Sequence, residues 1–386
     1  MQLPDFPWDI LFPAKERAQS HPDGIVDLSV GTPVDPTPQV IRDALAAASD
    51  AHGYPATYGT PALREAVAAW FERRRLTPGV DPDGVLPTIG SKEAVAWLPT
   101  LLGLGAGDKV AFPAVAYPTY DVGARLAGAT PVPFEGLTEL GPVRGSNAPR
   151  LIWVNSPGNP TGRVLGVEHL RKVVDWARTR GAVVVSDECY AELDWREGVA
   201  ADGRRLGGGR PGTVPSLLHP DVCGGDHTGL LACYSLSKQS NLAGYRAAFL
   251  AGDVAIVREV LEVRKHAGMM MPAPVQAAMA VALGDDTHVA EQRERYAGRR
   301  AVLAPALVEA GLRIEDSEAG LYLWCTRDED CWATVEALAS LGILAAPGAF
   351  YGTRSQQHVR LALTASDERI AAAATRLPSL PRPDAA

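Results

Sequence analysis

The sequence predicts an α/β protein: a mostly parallel, doubly wound sheet in a large domain, with a smaller α+β domain after it. Two observations carry this. Short apolar runs of strand length alternate with helical stretches up to about Leu250. From about Glu291 the pattern changes to a long charged helix followed by mixed strands and helices. A chain of 386 residues also suits a large domain plus a smaller one.

Each element has a local reason. Thr60-Pro61 opens a helix, with Thr60 as N-cap and Pro61 in the first turn; Leu63, Val67, Trp70 and Phe71 then form one apolar face. A second helix starts at Ser91 and runs to about Leu102. Strand-length apolar runs fall at residues 109–112, 151–154, 182–185, 230–234 and 247–250, with a helix over 167–180 among them. Several of these runs lack polar alternation, as strands covered on both faces do. The glycine-rich stretch Gly103-Leu-Gly-Ala-Gly-Asp-Lys109 fits neither dinucleotide nor P-loop spacing and reads as a helix-to-strand connection. The second domain should hold a helix from 291 to about 310, a strand over 321–325, a helix near 331–341 and a strand over 358–363. Residues 197–215, rich in Gly and Arg, read as a surface loop, and residues 378–386 as a frayed tail. The expected division is 1–45 as N-terminal arm and part of the small domain, 46–285 as the large domain, and 286–386 as the C-terminal small domain.

Composition narrows the partners. A net charge of −8 argues against a nucleic-acid partner held by phosphate contacts. The five cysteines have no C-x-x-C spacing, which disfavours a disulfide scaffold or zinc site and points to a reducing compartment. The eight histidines show no metal-ligand spacing, so no metal is expected. No run of 18 apolar residues occurs, and the first 12 residues lack a basic start and apolar stretch, so a soluble cytoplasmic protein is expected.

Four short stretches carry chemistry. Asn155-Ser-Pro-Gly-Asn159-Pro-Thr-Gly162 makes a rigid turn at a strand's carboxyl end, where open α/β sheets bind ligands. Asp187, just past a buried strand, needs a cation or strong donor. Lys238, in Tyr234-Ser235-Leu-Ser237-Lys238, is one of only six lysines, follows a strand end, and has Arg246 eight residues on. Gly90-Ser91-Lys92 opens a helix whose amides and dipole could seat a phosphate. Singly, each admits a structural reading as a turn, a helix cap or a solvated lysine. Together they form the set that a pyridoxal phosphate site needs: an amine for a Schiff base, a carboxylate for the pyridine nitrogen, and donors for a phosphate.

On these motifs the chain resembles the fold-type I, pyridoxal 5'-phosphate-dependent aminotransferases of class I/II, over about residues 30–363. NSPGNPTG, SDECY and SLSKQSNLAGYR, in this order and spacing, carry the likeness. The stretches IGSKEAVAWLPTLLGLG and HAGMMMPAPVQAAM are similar to those of actinobacterial N-succinyldiaminopimelate aminotransferases. The resemblance implies that Lys238 forms the Schiff base and moves the proton at the substrate Cα. It implies that Asp187 partners the pyridine nitrogen, that Asn159 and Tyr190 donate to the ring hydroxyl, and that Tyr117 stacks on the ring. Ser91, Lys92, Ser235, Ser237 and Arg246 would form the phosphate cup. Tyr54 would reach the phosphate of a partner subunit, so the enzyme would be a homodimer with shared sites. Arg360 would clamp the substrate α-carboxylate, with the Gly31 backbone and Asn159 beside it. The implied reaction exchanges an amino group between glutamate/2-oxoglutarate and N-succinyl-2-amino-6-oxopimelate in lysine and diaminopimelate biosynthesis. Aspartate, aromatic or broad-specificity aminotransferases and a C–S β-lyase share these motifs. A pyridoxal phosphate-binding sensor domain is a remote alternative, since only about 27 residues precede Leu28.

Overall fold

The computed structural model describes residues 3–140, 148–196, 198–199, 205–206 and 214–381. Its centre is a seven-stranded sheet. The strands are β1 (Val85–Ile89), β2 (Lys109–Pro113), β3 (Thr130–Phe134), β4 (Leu151–Asn155), β5 (Val183–Asp187), β6 (Leu230–Ser235) and β7 (Ala247–Gly252). Their spatial order is β1-β7-β6-β5-β4-β2-β3. All neighbours pair in parallel except β7, which runs antiparallel to both β1 and β6. The expected mostly parallel, doubly wound sheet is therefore present.

Two helical layers cover it because strand residues alternate between the faces. Val184, Leu230 and Ala232 point into one core, packed by α1 (Gln39–Ala47), α2 (Pro61–Arg75), α5 (Val167–Arg178) and α7 (Ala273–Gly284). Val185, Leu231 and Cys233 point into the other, packed by α3 (Ser91–Leu101), α4 (Thr119–Leu126) and α6 (Val254–Ala267). The Thr60 hydroxyl caps α2 through the Leu63 amide at 3.3 Å, and the four expected apolar residues are buried. Residues 102–108 join α3 to β2, as expected of the glycine cluster.

A third core gathers around a four-stranded antiparallel sheet of β8 (Arg313–Glu315), β9 (Tyr322–Thr326), β10 (Ala346–Pro347) and β11 (His358–Ala362), in order β8-β9-β11-β10. Helices α8 (Thr287–Glu309), α9 (Cys331–Ser340) and α10 (Asp367–Arg376) pack on it. The N-terminal segment joins this unit, since Val26–Asp27 pairs in parallel with Ile343–Leu344. Ile41 of α1 packs in the large core instead.

Three expectations need correction. The strands β1 and β3 are absent from the sequence reading because Pro87, Pro131 and Pro133 interrupt their apolar runs. Both strands lie at sheet edges, where a missing backbone N–H is tolerated. The expected surface loop over 197–215 contains a short antiparallel pairing of Gly198–Val199 with Arg205–Leu206, and most of its other residues lie outside the described ones. The tail is docked as far as Pro381: Leu377 and Leu380 are buried, and Arg327 donates to the Pro381 carbonyl at 2.5 Å. Residues 382–386 lie outside the described ones.

One buried ion pair holds α2 to the segment that follows β5. Arg75 lies 3.0 Å from the Glu188 carboxylate, which also accepts from the Leu217 amide at 2.8 Å. Removing the cation strands a buried charge, so Arg75→Met should cost about 3–5 kcal/mol. Adding Glu188→Gln should recover most of that loss in the urea unfolding midpoint.

Candidate active site

The carboxyl ends of the parallel strands meet at one edge of the sheet, and the candidate residues hang from it. Asn155 at the end of β4 lies opposite Asp187 at the end of β5, and Asp187 lies opposite Cys233 of β6. Five residues past Cys233 comes Lys238. Because β7 is antiparallel, its start returns Arg246 to the same edge, next to the Ile89 end of β1 and the start of α3. The turn carrying Lys238 is fixed from the far side by α8. Ser240 hydrogen-bonds the His288 ring at 2.8 Å, and Asn241 donates to Gln292 at 2.9 Å.

These elements enclose a cavity of about 390 Å³. Twelve of the thirteen expected residues line it: Gly31, Ser91, Lys92, Tyr117, Asn159, Asp187, Tyr190, Ser235, Ser237, Lys238, Arg246 and Arg360. Tyr54 does not; it is 97% exposed, away from the cavity of its own chain.

At one end the Lys238 ammonium donates to the Gly31 carbonyl. Burial lowers the pKa of this amine below the ordinary value of 10.5. The Asp187 carboxylate accepts from the Tyr120 hydroxyl at 2.9 Å and from the Cys189 amide at 3.2 Å. Burial still raises its pKa, because the donors compensate only part of the lost hydration. The Asn155 amide braces the loop, donating to the Asp187 and Pro157 carbonyls and accepting from the Asn159 amide at 2.7 Å.

At the opposite wall, buried Arg360 donates to the Asn159 side-chain oxygen at 2.8 Å and to the Ser29 carbonyl at 2.6 Å. Its guanidinium lies 3.9 Å from the Tyr322 ring centroid and 5.0 Å from that of Tyr351. Its Nε is buried and has no partner among the described residues. Tyr190 and Tyr322 share a hydrogen bond at 3.1 Å. Burial pushes the Tyr190 hydroxyl well above its usual pKa. Burial also pushes Tyr322 up, but the Arg360 and Lys238 cations beside it more than offset this and leave it lowered. Gly31 is required by close approach, since a Cβ there would lie 2.2 Å from the Tyr322 hydroxyl.

The third wall is built for an anion. Ser91 stands at the N-terminus of α3, and the Ser235 and Ser237 hydroxyls are 2.8 Å apart. Arg246 adopts φ +57° and brings its guanidinium against Gly90, where a Cβ would meet it at 2.1 Å. Lys92 also lines this region, with its ammonium 5.3 Å from the Phe6 ring centroid.

Several site residues escaped the sequence reading. Tyr120 carried a signal, lying three residues past Tyr117 in Tyr-Pro-Thr-Tyr, where a helical turn returns both to one side. Tyr322, Tyr351, Phe6 and Trp8 reach the site only through tertiary packing, and nothing local marks them.

The donor set fits pyridoxal phosphate. An amine of lowered pKa can meet its aldehyde, a buried carboxylate its ring nitrogen, and two hydroxyls, a helix N-terminus and a guanidinium its phosphate. The cradle at Gly31 and Gly90 and the unpartnered Arg360 Nε leave space and a donor for such a ligand and its substrate.

Comparison with known proteins agrees. The family model for aminotransferase class I and II matches residues 23–377. The chain is 60% identical over 376 residues to the 4-dedimethylamino-4-oxo-anhydrotetracycline transaminase OxyQ of Streptomyces rimosus, covering 97% of this chain and 99% of that protein. It is 60% identical over 375 residues to a protein of Mycobacterium tuberculosis named as a probable aminotransferase, covering 97% of this chain and 85% of the other. Among solved structures, a probable N-succinyldiaminopimelate aminotransferase from Thermus thermophilus superposes with a TM-score of 0.82 at 27% identity, covering 97% of this chain and 100% of that one. The chain belongs to the class I and II aminotransferases, fold-type I enzymes that use pyridoxal phosphate.

Proposed function

We propose that this aminotransferase moves the amino group of glutamate to N-succinyl-2-amino-6-oxopimelate and releases 2-oxoglutarate. The observation that carries the assignment of roles is the pairing, in one cavity, of a desolvated amine with a guanidinium whose Nε has no partner among the described residues. Bound pyridoxal phosphate supplies a carbonyl that takes up and releases amino groups and a ring that stabilises negative charge at the substrate Cα.

The chain's residues do the rest. Arg360 binds the α-carboxylate of donor and acceptor alike and so fixes Cα. Lys238 then takes the proton from Cα of the donor and, in the acceptor half-reaction, gives one to Cα of the acceptor. Its pKa, lowered by burial, keeps a larger share of the amine neutral at working pH. Asp187 would hold the ring nitrogen in its protonated form, and Tyr120 and the Cys189 amide hold Asp187. The Asn159 amide and Tyr190 hydroxyl would donate to the ring oxygen, Tyr117 would flank the ring, and Ser91, Ser235, Ser237 and Arg246 would hold the phosphate. Tyr54, exposed in its own chain, completes the phosphate seat of a partner subunit, which makes the enzyme a homodimer. The segment before α1 and residues 286–386 then act as one small domain over the large one, which keeps α1 itself.

The succinylated acceptor is supported by the two stretches noted in the sequence and by the likeness to the Thermus structure. A second reading, a bulky ring ketone as acceptor, is favoured by the identity to OxyQ and by a groove of about 1000 Å³ beside the site. An acceptor panel with glutamate as donor separates them. The first reading expects the succinylated oxo acid to have a kcat/KM at least about 100-fold above those of aromatic oxo acids, a gap of about 2.7 kcal/mol. A higher kcat/KM for the aromatic or polycyclic acceptors would overturn it.

Two further outcomes test the roles. Tyr120→Phe removes one donor from buried Asp187 and should weaken cofactor affinity by on the order of 10-fold, read by titration at the cofactor's absorbance band. Because burial lowers the Lys238 pKa, cofactor capture by stripped enzyme should speed up with rising pH and level off below pH 10.5. Stopped-flow absorbance would show a midpoint at or above that pH if the amine were hydrated.

A further inference from the structure

The cofactor cavity adjoins the larger groove, and the two share Phe6, Trp8, Lys92 and Tyr117. Cavities of roughly 300–1,000 Å³ hold whole drug-sized ligands. The groove, at about 1000 Å³, therefore offers far more room than glutamate needs. Its walls are mainly apolar. Trp8 packs 5.7 Å from Phe6 and 5.8 Å from Phe350, centroid to centroid, so the N-terminal arm is tied to the loop before β11.

The cations along the groove differ in one respect, while Asp5 and Glu139 are its further carboxylates. Arg125 is held by Asp121 at 2.7 Å, and Arg354 is paired with Glu135. Lys92 has no ion-pair partner among the described residues, and its ammonium faces the Phe6 ring. Burial and the neighbouring Arg246 cation both push its pKa down. An ammonium in this setting gains from an anion that arrives with a ligand. The phosphate seat already has Arg246, two serine hydroxyls and the α3 N-terminus. Lys92 lies at the junction with the groove, where a substrate tail would pass.

We propose that the groove takes the distal part of an extended oxo-acid acceptor, its stem along Phe6, Trp8 and Tyr117 and its terminal carboxylate on Lys92. Lys92 is then a specificity residue, not a phosphate ligand. This rests on the reading of the chain as an aminotransferase for a long acceptor with a remote anion.

The test uses the holoenzyme with glutamate and a pair of acceptors matched in length, 2-oxopimelate and 2-oxoheptanoate, which differ only in the terminal carboxylate. Lys92→Met should raise the ratio of KM for 2-oxopimelate to KM for 2-oxoheptanoate on the order of 10- to 100-fold. Lys92→Arg should restore most of the preference, and cofactor dissociation constants from absorbance titration separate an acceptor effect from a phosphate effect. An equal loss on both acceptors overturns the proposal. So does weakened cofactor binding with an unchanged acceptor ratio, which returns Lys92 to the phosphate cup. A wild-type enzyme indifferent to the terminal carboxylate overturns it too and favours a neutral body in the groove. Whether the succinylated acceptor itself reacts is read separately, so the substrate assignment can fail while the Lys92 result stands.

Discussion

The parallel pairing of β5 with β6 is the constraint on which the rest of the site depends. Its register sets Asp187 beside Cys233, and the chain then needs only five more residues to present Lys238 at the same edge. A carboxylate and an amine are thus carried by adjacent strands of a sheet packed on both faces. Rigid elements hold such pairs more closely than loops do. The antiparallel strand β7 extends the device by bringing Arg246 back to that edge.

Holding these groups out of water has an electrostatic cost that the structure only partly offsets. Asp187 receives two donors and remains raised, and Lys238 is lowered. Arg360 is a guanidinium and stays charged at any working pH, and its pKa is raised further, since Tyr351, Tyr322, Tyr190 and Tyr117 together more than reverse the effect of burial. The cavity therefore contains several charges whose best partners are a phosphate, a ring nitrogen and a carboxylate, and this is the physical content of its fitness for an amino-acid enzyme. The Lys92 ammonium follows the same logic at the mouth, where a different anion is within reach.

Much of this was legible in the sequence because each key residue sits just after a buried strand, and such junctions can be found from apolar runs and Gly/Pro turns. Lys238, Asp187 and Asn159 were exposed to that reasoning, as was the Thr60 cap of α2. Pro87, Pro131 and Pro133 masked two edge strands, because a run broken by proline does not read as a strand without knowing its place in the sheet. Tyr322 was hidden for another reason. It lies in the small unit, in an apolar strand, and becomes part of the site only when β9 pairs with β11 and sets its ring against Arg360. Phe6 and Trp8 are likewise brought in from the chain's start by contacts distant in sequence. The docking of residues 377–381 was missed because the Arg327 contact to Pro381 leaves no trace in a Pro-rich tail.

The central claim is that one buried amine, Lys238, holds the cofactor. Reducing the yellow holoenzyme with borohydride, digesting it and mapping the pyridoxyl-labelled peptide by mass spectrometry tests this most directly. The account predicts a single label on Lys238, within the stretch Tyr234-Ser235-Leu236-Ser237-Lys238. A label on any of the other five lysines, or none, would contradict it.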